Sequence, residues 1–351
     1  MTSMKRIFAA AAAALTLAAP PAWAQERTDF RLAWSIYVGW MPWGWAADNG
    51  IVDRWAERYG ISIEVTQFND YIESVNQYTA GAFDAVTITN MDALAIPAVG
   101  GVDTTALIVG DFSNGNDAVI LKDADDLAAI AGRRVNLVEL SVSHYLLARA
   151  LDSVGMTERD VRVVNTSDAD IVAAWATPDV DAVVTWNPLV SEIAAQPGAA
   201  VVFDSSRIPG EIIDLTVVNT DVLTANPDFG RALVGAWYET MAIMASDTPE
   251  GAEARAAMGA ASGTDQAGYE AQLAATRMFF DPAEAAAFAS SDELPGVMDQ
   301  VRAFLFEHGL LGDGAPSPDV VGIAYPDGSV QGDEGFVRLR FDAAFMAEAA
   351  Q

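Results

Sequence analysis

Tyr37, Trp40, Trp43 and Trp45 crowd into a short stretch directly after an apolar run, Phe30-Arg31-Leu32-Ala33-Trp34. Flat rings in a crevice sandwich a planar solute or attract a cation to their faces. Polar side chains recur where other apolar runs end. Asn69-Asp70 follows one run and Thr89-Asn90-Met91-Asp92 another. Glu139 comes next, with Ser141 and Ser143 just beyond it, then Thr185-Trp186-Asn187-Pro188, and then Glu211 and Asp214. If the apolar runs are strands, all of these lie at strand ends, where α/β sheets leave a crevice.

Each of these residues also has a plain structural use. Asp70 at a helix start is an N-cap or a carboxylate facing the crevice. Within Thr89-Asn90-Met91-Asp92 one residue caps the next helix and the others are left for a ligand. Ser141 or Ser143 suits an N-cap, whose free N–H groups also suit a polar ligand. Glu139 has no obvious structural need to be acidic at a strand end. His144 reads as a structural histidine, and Pro188 as an apt helix start. Trp43 and Trp45 are divided between core and pocket, whereas Tyr37 and Trp40 lie in the turn itself. Asp214 and Glu211 are either ligand carboxylates or hydrogen-bonding groups at a hinge. The set read as ligand-binding is Tyr37, Trp40, Asp70, Asn90, Asp92, Glu139, Ser141, Trp186, Asn187 and Asp214.

This chemistry points away from anions. A sulfonate or nitrate site wants Arg or Lys; the loops near the aromatic cluster contain neither, and Arg133 and Arg134 precede their strand. Rings with Asp and Glu suit a planar cation. Guanidinium offers forked N–H donors to a carboxylate and stacks on indole. A buried carboxylate without a cation is costly, which favours guanidinium over neutral urea. Urea fits if a carboxylate takes its N–H groups and an amide or hydroxyl donates to its oxygen.

The elements that must position these residues alternate between apolar runs and helical patterns, as in sheets with crossover helices. Strands are expected at residues 30–34, 61–65, 85–88 and 105–109, with helices at 41–59 and 71–80. A second such unit follows, with strands at 118–121, 134–138, 161–164, 181–185, 201–203 and 215–218. Its helices are expected at 123–130, 143–154 and 168–175. From Pro227 the chain is mostly helical, with long stretches at 229–245 and 268–279, and a late hairpin is expected within 316–341. This predicts an α/β protein with parallel-type sheets and a helical C-terminal part. Lobe one would hold residues 25–112 and 217–351 and lobe two 113–216, with crossings near Gly110–Asp117 and Asp214–Asn219.

The N-terminus reads as a signal peptide. Lys5 and Arg6 precede an apolar core from Ile7 to Ala19, and Ala22-Trp23-Ala24 supplies the small residues for cleavage after Ala24. That core is too short to span a membrane, so a soluble periplasmic protein is expected. Cleavage leaves 17 basic against 49 acidic residues, a formal net charge of −32. Such a surface repels nucleic acid and anionic membranes, and reads as a solubilising shell for a salty habitat. There is no cysteine, which excludes disulfides and Cys-based metal sites. With His144 and His308 alone, no His-rich metal site is expected, and no cofactor is expected either.

Several segments together resemble the nitrate/taurine-type periplasmic binding proteins of ABC importers. They are Trp34 to Trp43, Phe68 to Ser74, Thr87 to Asp92, Glu139 to Leu147, Thr185 to Pro188 and Gly268 to Leu273. Within that group the resemblance is nearest to the urea-carboxylase-region (urea/guanidine transporter) binding proteins, and it runs along essentially the whole mature chain. It implies a two-lobed Venus-flytrap fold of type II that closes over a small solute. It also implies a membrane permease as partner and a monomeric, non-enzymatic role. Pyrimidine-synthase relatives of the same fold use a His- and Cys-rich site and a reactive lysine. Here there is no cysteine, and Lys122 is the single lysine after cleavage. The remaining alternatives are a binding protein for another small amide, amine or sulfonate-type solute, and one that reports to a sensor.

Overall fold

The computed structural model describes residues 27–312 and 314–351, so the expected leader, 1–24, lies outside the described residues. The strands in chain order are β1 Asp29–Ser35, β2 Ser62–Phe68, β3 Ala85–Thr89, β4 Thr104–Ser113, β5 Asp117–Lys122, β6 Arg134–Leu137, β7 Arg162–Asn165, β8 Ala182–Trp186, β9 Ala199–Asp204, β10 Ile213–Asn219, β11 Thr276–Met278, β12 Gly322–Ala324, β13 Val330–Gln331 and β14 Val337–Phe341. They form two sheets. The first runs β13-β12-β14-β4-β10-β3-β1-β2 with β11 added to β4, and the second runs β7-β6-β8-β5-β9.

Both sheets are mixed rather than parallel throughout. β1 pairs in parallel with β2 and β3, but β10 runs antiparallel to β3 and β4. In the second sheet β6 is parallel to β7 and β8, while β5 is antiparallel to β8 and β9. The reversed strands are the ones that carry the chain between sheets. Crossover helices set direction only for strands they connect.

β5 shows why the helices cover both faces. Val119 and Leu121 enter the main core, while Ala118 and Ile120 join a smaller cluster with Ile171, Trp175, Val183 and Ile193. A strand buried on both sides reads as a continuous apolar run. The expected helix over 41–59 is two helices, Met41–Asp48 and Ile51–Arg58, broken at Gly50 with φ of 66°. Only glycine adopts that conformation freely. The segment over 268–279 leaves its helix at Ala274 and pairs as β11. Residues 110–113 and 214–219, read as polar crossings, lie inside β4 and β10. The late hairpin is present as β12 and β13.

The Leu294–Glu307 helix reaches from the first sheet's side to the second's. Arg302 bonds Asp319 beside β12, while Phe304 packs edge-on against Tyr145, centroids 5.3 Å apart, on the Val142–Ser153 helix. Among the described residues no helix is long and apolar enough to cross a membrane.

Candidate functional site

β1 ends at Ser35, and the chain turns sharply through Tyr37 to Gly39, with Trp40 N–H donating to Tyr37 O at 2.9 Å. A Cβ on Gly39 would collide with Asp111 Oδ2, so this position requires glycine. The turn thereby brings Tyr37 onto Asp111, its hydroxyl donating to Oδ1 at 2.8 Å. Trp40 meets Tyr37 edge-on at 5.0 Å and Tyr71 at 5.6 Å. Tyr71, the first residue of the Tyr71–Thr79 helix, meets Trp186 of the second sheet at 5.7 Å.

These rings line a tight cavity of about 10 Å³ with Thr89, Asp117, Val142, Ile212 and Asp214. A cavity of that size holds about one water molecule as the rings stand, so a solute enters only as they part. It lies between the two sheets, which bond across it. Val38 N–H donates to Asn187 O at 3.3 Å, and Trp186 Nε1–H to Ile36 O at 3.3 Å. Tyr71 N–H donates to Asp168 Oδ1 at 3.2 Å, and Ser167 Oγ–H to Asp70 Oδ2 at 2.6 Å.

Two buried aspartates, Asp117 and Asp214, line this cavity, and two more, Asp111 and Asp92, lie behind it on Tyr37 and Tyr71. The register makes the cluster. Asp214 on β10 stands directly opposite Asp111 on β4 and Thr89 on β3. Like charges opposite one another destabilise a sheet. Asp117 opens β5, opposite Trp186, and accepts from Ser113 Oγ at 2.5 Å. Asp92 accepts from Tyr71 Oη at 2.8 Å and Thr89 Oγ1 at 2.9 Å.

Among the described residues no Lys, Arg or His pairs with any of the four. Burial therefore dominates their acidity. It raises Asp92 to about 6 against hydrogen bonds from Tyr71 and Thr89. It pushes Asp117 up to about 7, helped by the charge of Asp92. Asp111 is raised by burial, and Asp214 is raised further by burial and by the charges of Asp111 and Asp117. Asp214 Oδ2 and the Nε1–H of Trp40 are buried without a hydrogen-bond partner.

Of the residues read from sequence, Tyr37, Trp40, Trp186 and Asp214 line the cavity, and Asp92 stands behind Tyr71. The others have different places. Asp70 caps the Tyr71–Thr79 helix, accepting from Glu73 N–H at 2.9 Å. Asn90 ties Ile213 N–H and Glu211 O. Ser141 caps the Val142–Ser153 helix, and Asn187 accepts from Ser191 N–H at 3.0 Å. Glu139 is exposed, in a surface hollow with Asp70 and Asp168 outside the cavity. Glu211 pairs with Arg149 and Tyr145. Trp43 is core, packed at 5.2 Å on Trp237, and Trp45 is half-buried.

Sequence reasoning passed over Tyr71, Asp111 and Asp117. Tyr71 reads as an ordinary first helical residue. The two aspartates fall in a stretch that reads as a linker, although an acid at each end of 111–117, flanking two strands, was a usable signal.

A second cluster joins both histidines. His144, Glu158 and His308 offer ligand atoms within 4.8 Å of one another, the spacing a metal ion needs. The ring nitrogens argue for a proton-held cluster instead. His144 Nδ1 accepts from Leu140 N–H at 3.0 Å, which leaves the proton on Nε2, the atom facing Glu158. His308 faces acceptors on both sides, Phe304 O at 2.8 Å and Glu158 Oε2 at 2.7 Å, as an imidazolium does. Lys122 is far from reactive: its Nζ donates to Trp175 O and Thr177 O.

A family model described as the NMT1-like family matches residues 24–260, and the chain belongs to that family. The taurine-binding periplasmic protein of Escherichia coli (strain K12) is 26% identical over 192 residues, 53% of this chain and 57% of that protein. The match thus spans little more than half of that curated relative. The alkanesulfonate-binding protein of Xanthomonas axonopodis pv. citri, bound to MOPS, superposes with a TM-score of 0.66 at 16% identity, covering 83% of this chain and 96% of its own. The periplasmic nitrate-binding protein of Synechocystis PCC 6803 gives 0.60 at 13%, covering 92% and 98%. These structures place the chain in the two-lobed periplasmic binding protein fold.

Proposed function

We propose that this member of the NMT1-like family is the exported solute-binding component of an ABC importer, and that it encloses a small planar nitrogen cation, guanidinium ahead of urea. The supporting observation is the cavity itself: Asp117 and Asp214 beside the rings of Tyr37, Trp40, Tyr71 and Trp186, with no basic side chain in its lining. A guanidinium ion would give forked N–H donors to the carboxylates and its flat face to the rings.

Taurine or another sulfonate, which the relatives' names favour, would bring a further negative charge beside these carboxylates. At about 4 Å and an effective dielectric near 20 each such repulsion is about 4 kcal/mol. Urea avoids that repulsion and leaves the acids without a counter-charge.

In this reading lobe one comprises β1–β4, β10 and the C-terminal part, and lobe two comprises β5–β9. The connecting runs are 114–116 and 205–212. Solute docks on the aromatic turn and Asp214, and lobe two closes with Asp117 and Trp186. The closed form presents the face that a membrane permease reads.

The test is calorimetry at pH 8 on unfolded-and-refolded mature protein, titrating guanidinium, urea and taurine side by side. Guanidinium alone giving tight binding supports the cation site. Taurine binding with guanidinium silent overturns it.

A further inference from the structure

Asp111 and Asp214 occupy a directly opposed pair on antiparallel strands. Both are fully buried, and each keeps one carboxyl oxygen, Asp111 Oδ2 and Asp214 Oδ2, without a hydrogen-bond partner. Two carboxylates so placed cannot both ionise without a cation beside them. We infer that Asp111 and Asp214 hold a proton between them in the ligand-free protein, and that the cation enters by displacing it, so that capture of solute releases a proton. This rests on the cation reading of the cavity.

Among the described residues the surroundings offer no other compensation. From the turn after β1, Tyr37 donates to Asp111 Oδ1 and already satisfies that oxygen. From β5 comes Asp117, and from the short Asn90–Ala93 helix Asp92, both further acids. Tyr71 at its helix start is committed to Asp92. Tyr269, on the Gln266–Ala274 helix, lies near enough for the charge of Asp111 to raise it, and its hydroxyl donates to Val38 O at 3.0 Å. Glu211, just before β10, is neutralised by Arg149. Among the described residues the titratable groups facing the pair are therefore acids, phenols or already paired, and a proton supplies the missing positive charge.

The direction of the coupling follows. Burial and mutual repulsion raise the pair's affinity for its proton, and a bound cation lowers it. Below the pair's titration the cation competes with a proton, and its affinity rises about tenfold per pH unit if one proton is exchanged. Above it the affinity levels off. Neutral urea displaces no proton, so preference for guanidinium over urea grows with pH.

The experiment is calorimetry of the mature protein with guanidinium chloride at pH 6, 7 and 8 and constant potassium chloride, in phosphate and in Tris. The proposal expects affinity to climb across the series. It also expects heats that differ between the buffers by the ionisation enthalpy of close to one proton. Asp111→Asn should still bind guanidinium, more weakly, with proton release lost. Circular dichroism checks that this variant is folded, and the wild-type buffer comparison decides the matter if it is not. Guanidinium binding with pH-independent affinity and equal heats overturns proton exchange while leaving the cation site standing. So does undiminished proton release in a folded Asp111→Asn. Absence of guanidinium binding at every pH, with urea or taurine bound instead, removes both.

Discussion

Two regions of this chain bury carboxylates near the contact between its sheets, and they treat them in opposite ways. Glu211, on the approach to β10, accepts a forked pair from Arg149 at 2.8 and 3.0 Å and a third bond from Tyr145 at 2.7 Å. Glu158 accepts from His308 at 2.7 Å, and His144 Nε2 lies 2.8 Å from its other oxygen. Against the cost of half burial those contacts bring Glu158 down to about 2. Asp214, three residues on from Glu211, and its partner Asp111 are more deeply buried, receive no cation, and are raised instead. An acid with its counter-charge built in holds elements together. An acid without one costs stability until something positive arrives, and that is how a binding site differs from a staple.

The sharpest way to break this comparison is Asp214→Asn. Removing one partner of a buried charge pair costs about 3–5 kcal/mol. Guanidinium affinity should therefore fall by a hundredfold or more in calorimetry, while the ligand-free variant keeps or gains stability. Wild-type affinity in this variant would place the cation elsewhere.

Arg149→Met should show the reverse. It leaves Glu211 facing Tyr145 without its cation and should lower stability by about 2 kcal/mol, discounted because Arg149 is partly exposed. Urea denaturation reads this, with the slope unchanged. Guanidinium affinity of the folded fraction should move little.

The two regions also titrate with opposite sign. Asp92 and Asp117, raised to about 6 and 7, and the raised Asp111–Asp214 pair, keep protons in the folded chain that the unfolded chain loses near pH 4. Their contribution is intact below about pH 4 and is lost as pH rises towards 7. Glu158, lowered to about 2, gives stability above about pH 4.5 that is lost as pH falls to 2. The melting temperature of ligand-free protein should thus peak near pH 4–5 and fall towards pH 8. In Asp214→Asn that alkaline fall should be shallower.

The smallest effect belongs to Glu139→Ala. Its side chain is exposed outside the cavity, so guanidinium affinity should change less than twofold in the same titration. A large loss would mean that the cavity's boundary extends to that surface hollow.

The strands were largely legible because buried strands are short apolar runs between turn residues. Ala85–Thr89 and Ala182–Trp186 are of this kind and are buried throughout. Less legible was where helices stop. Gly50 sits inside an apolar pattern that fits one long helix, and its left-handed conformation is a backbone fact that the pattern does not carry. The site was half legible. Tyr37, Trp40, Trp186 and Asp214 are conspicuous as rings and acids at strand ends. Asp70, Ser141 and Asn187 are equally conspicuous, yet each turns its oxygen to a helix N–H. Ligand and cap ask for the same residue types at the same positions, so type alone does not separate them.

By itself the sequence determined the α/β class, the two-unit organisation, the acidic surface and the absence of thiol chemistry, because composition and periodicity are local properties. The tertiary structure decided which acids gather at the cavity and just behind its lining. Asp111, Asp117 and Asp214 are separated along the chain by up to about a hundred residues. They meet because β10 returns between β3 and β4 in antiparallel register, setting Asp214 opposite Asp111. Strand register across such a distance is fixed by which faces are buried, and nothing local to any of the three aspartates records it.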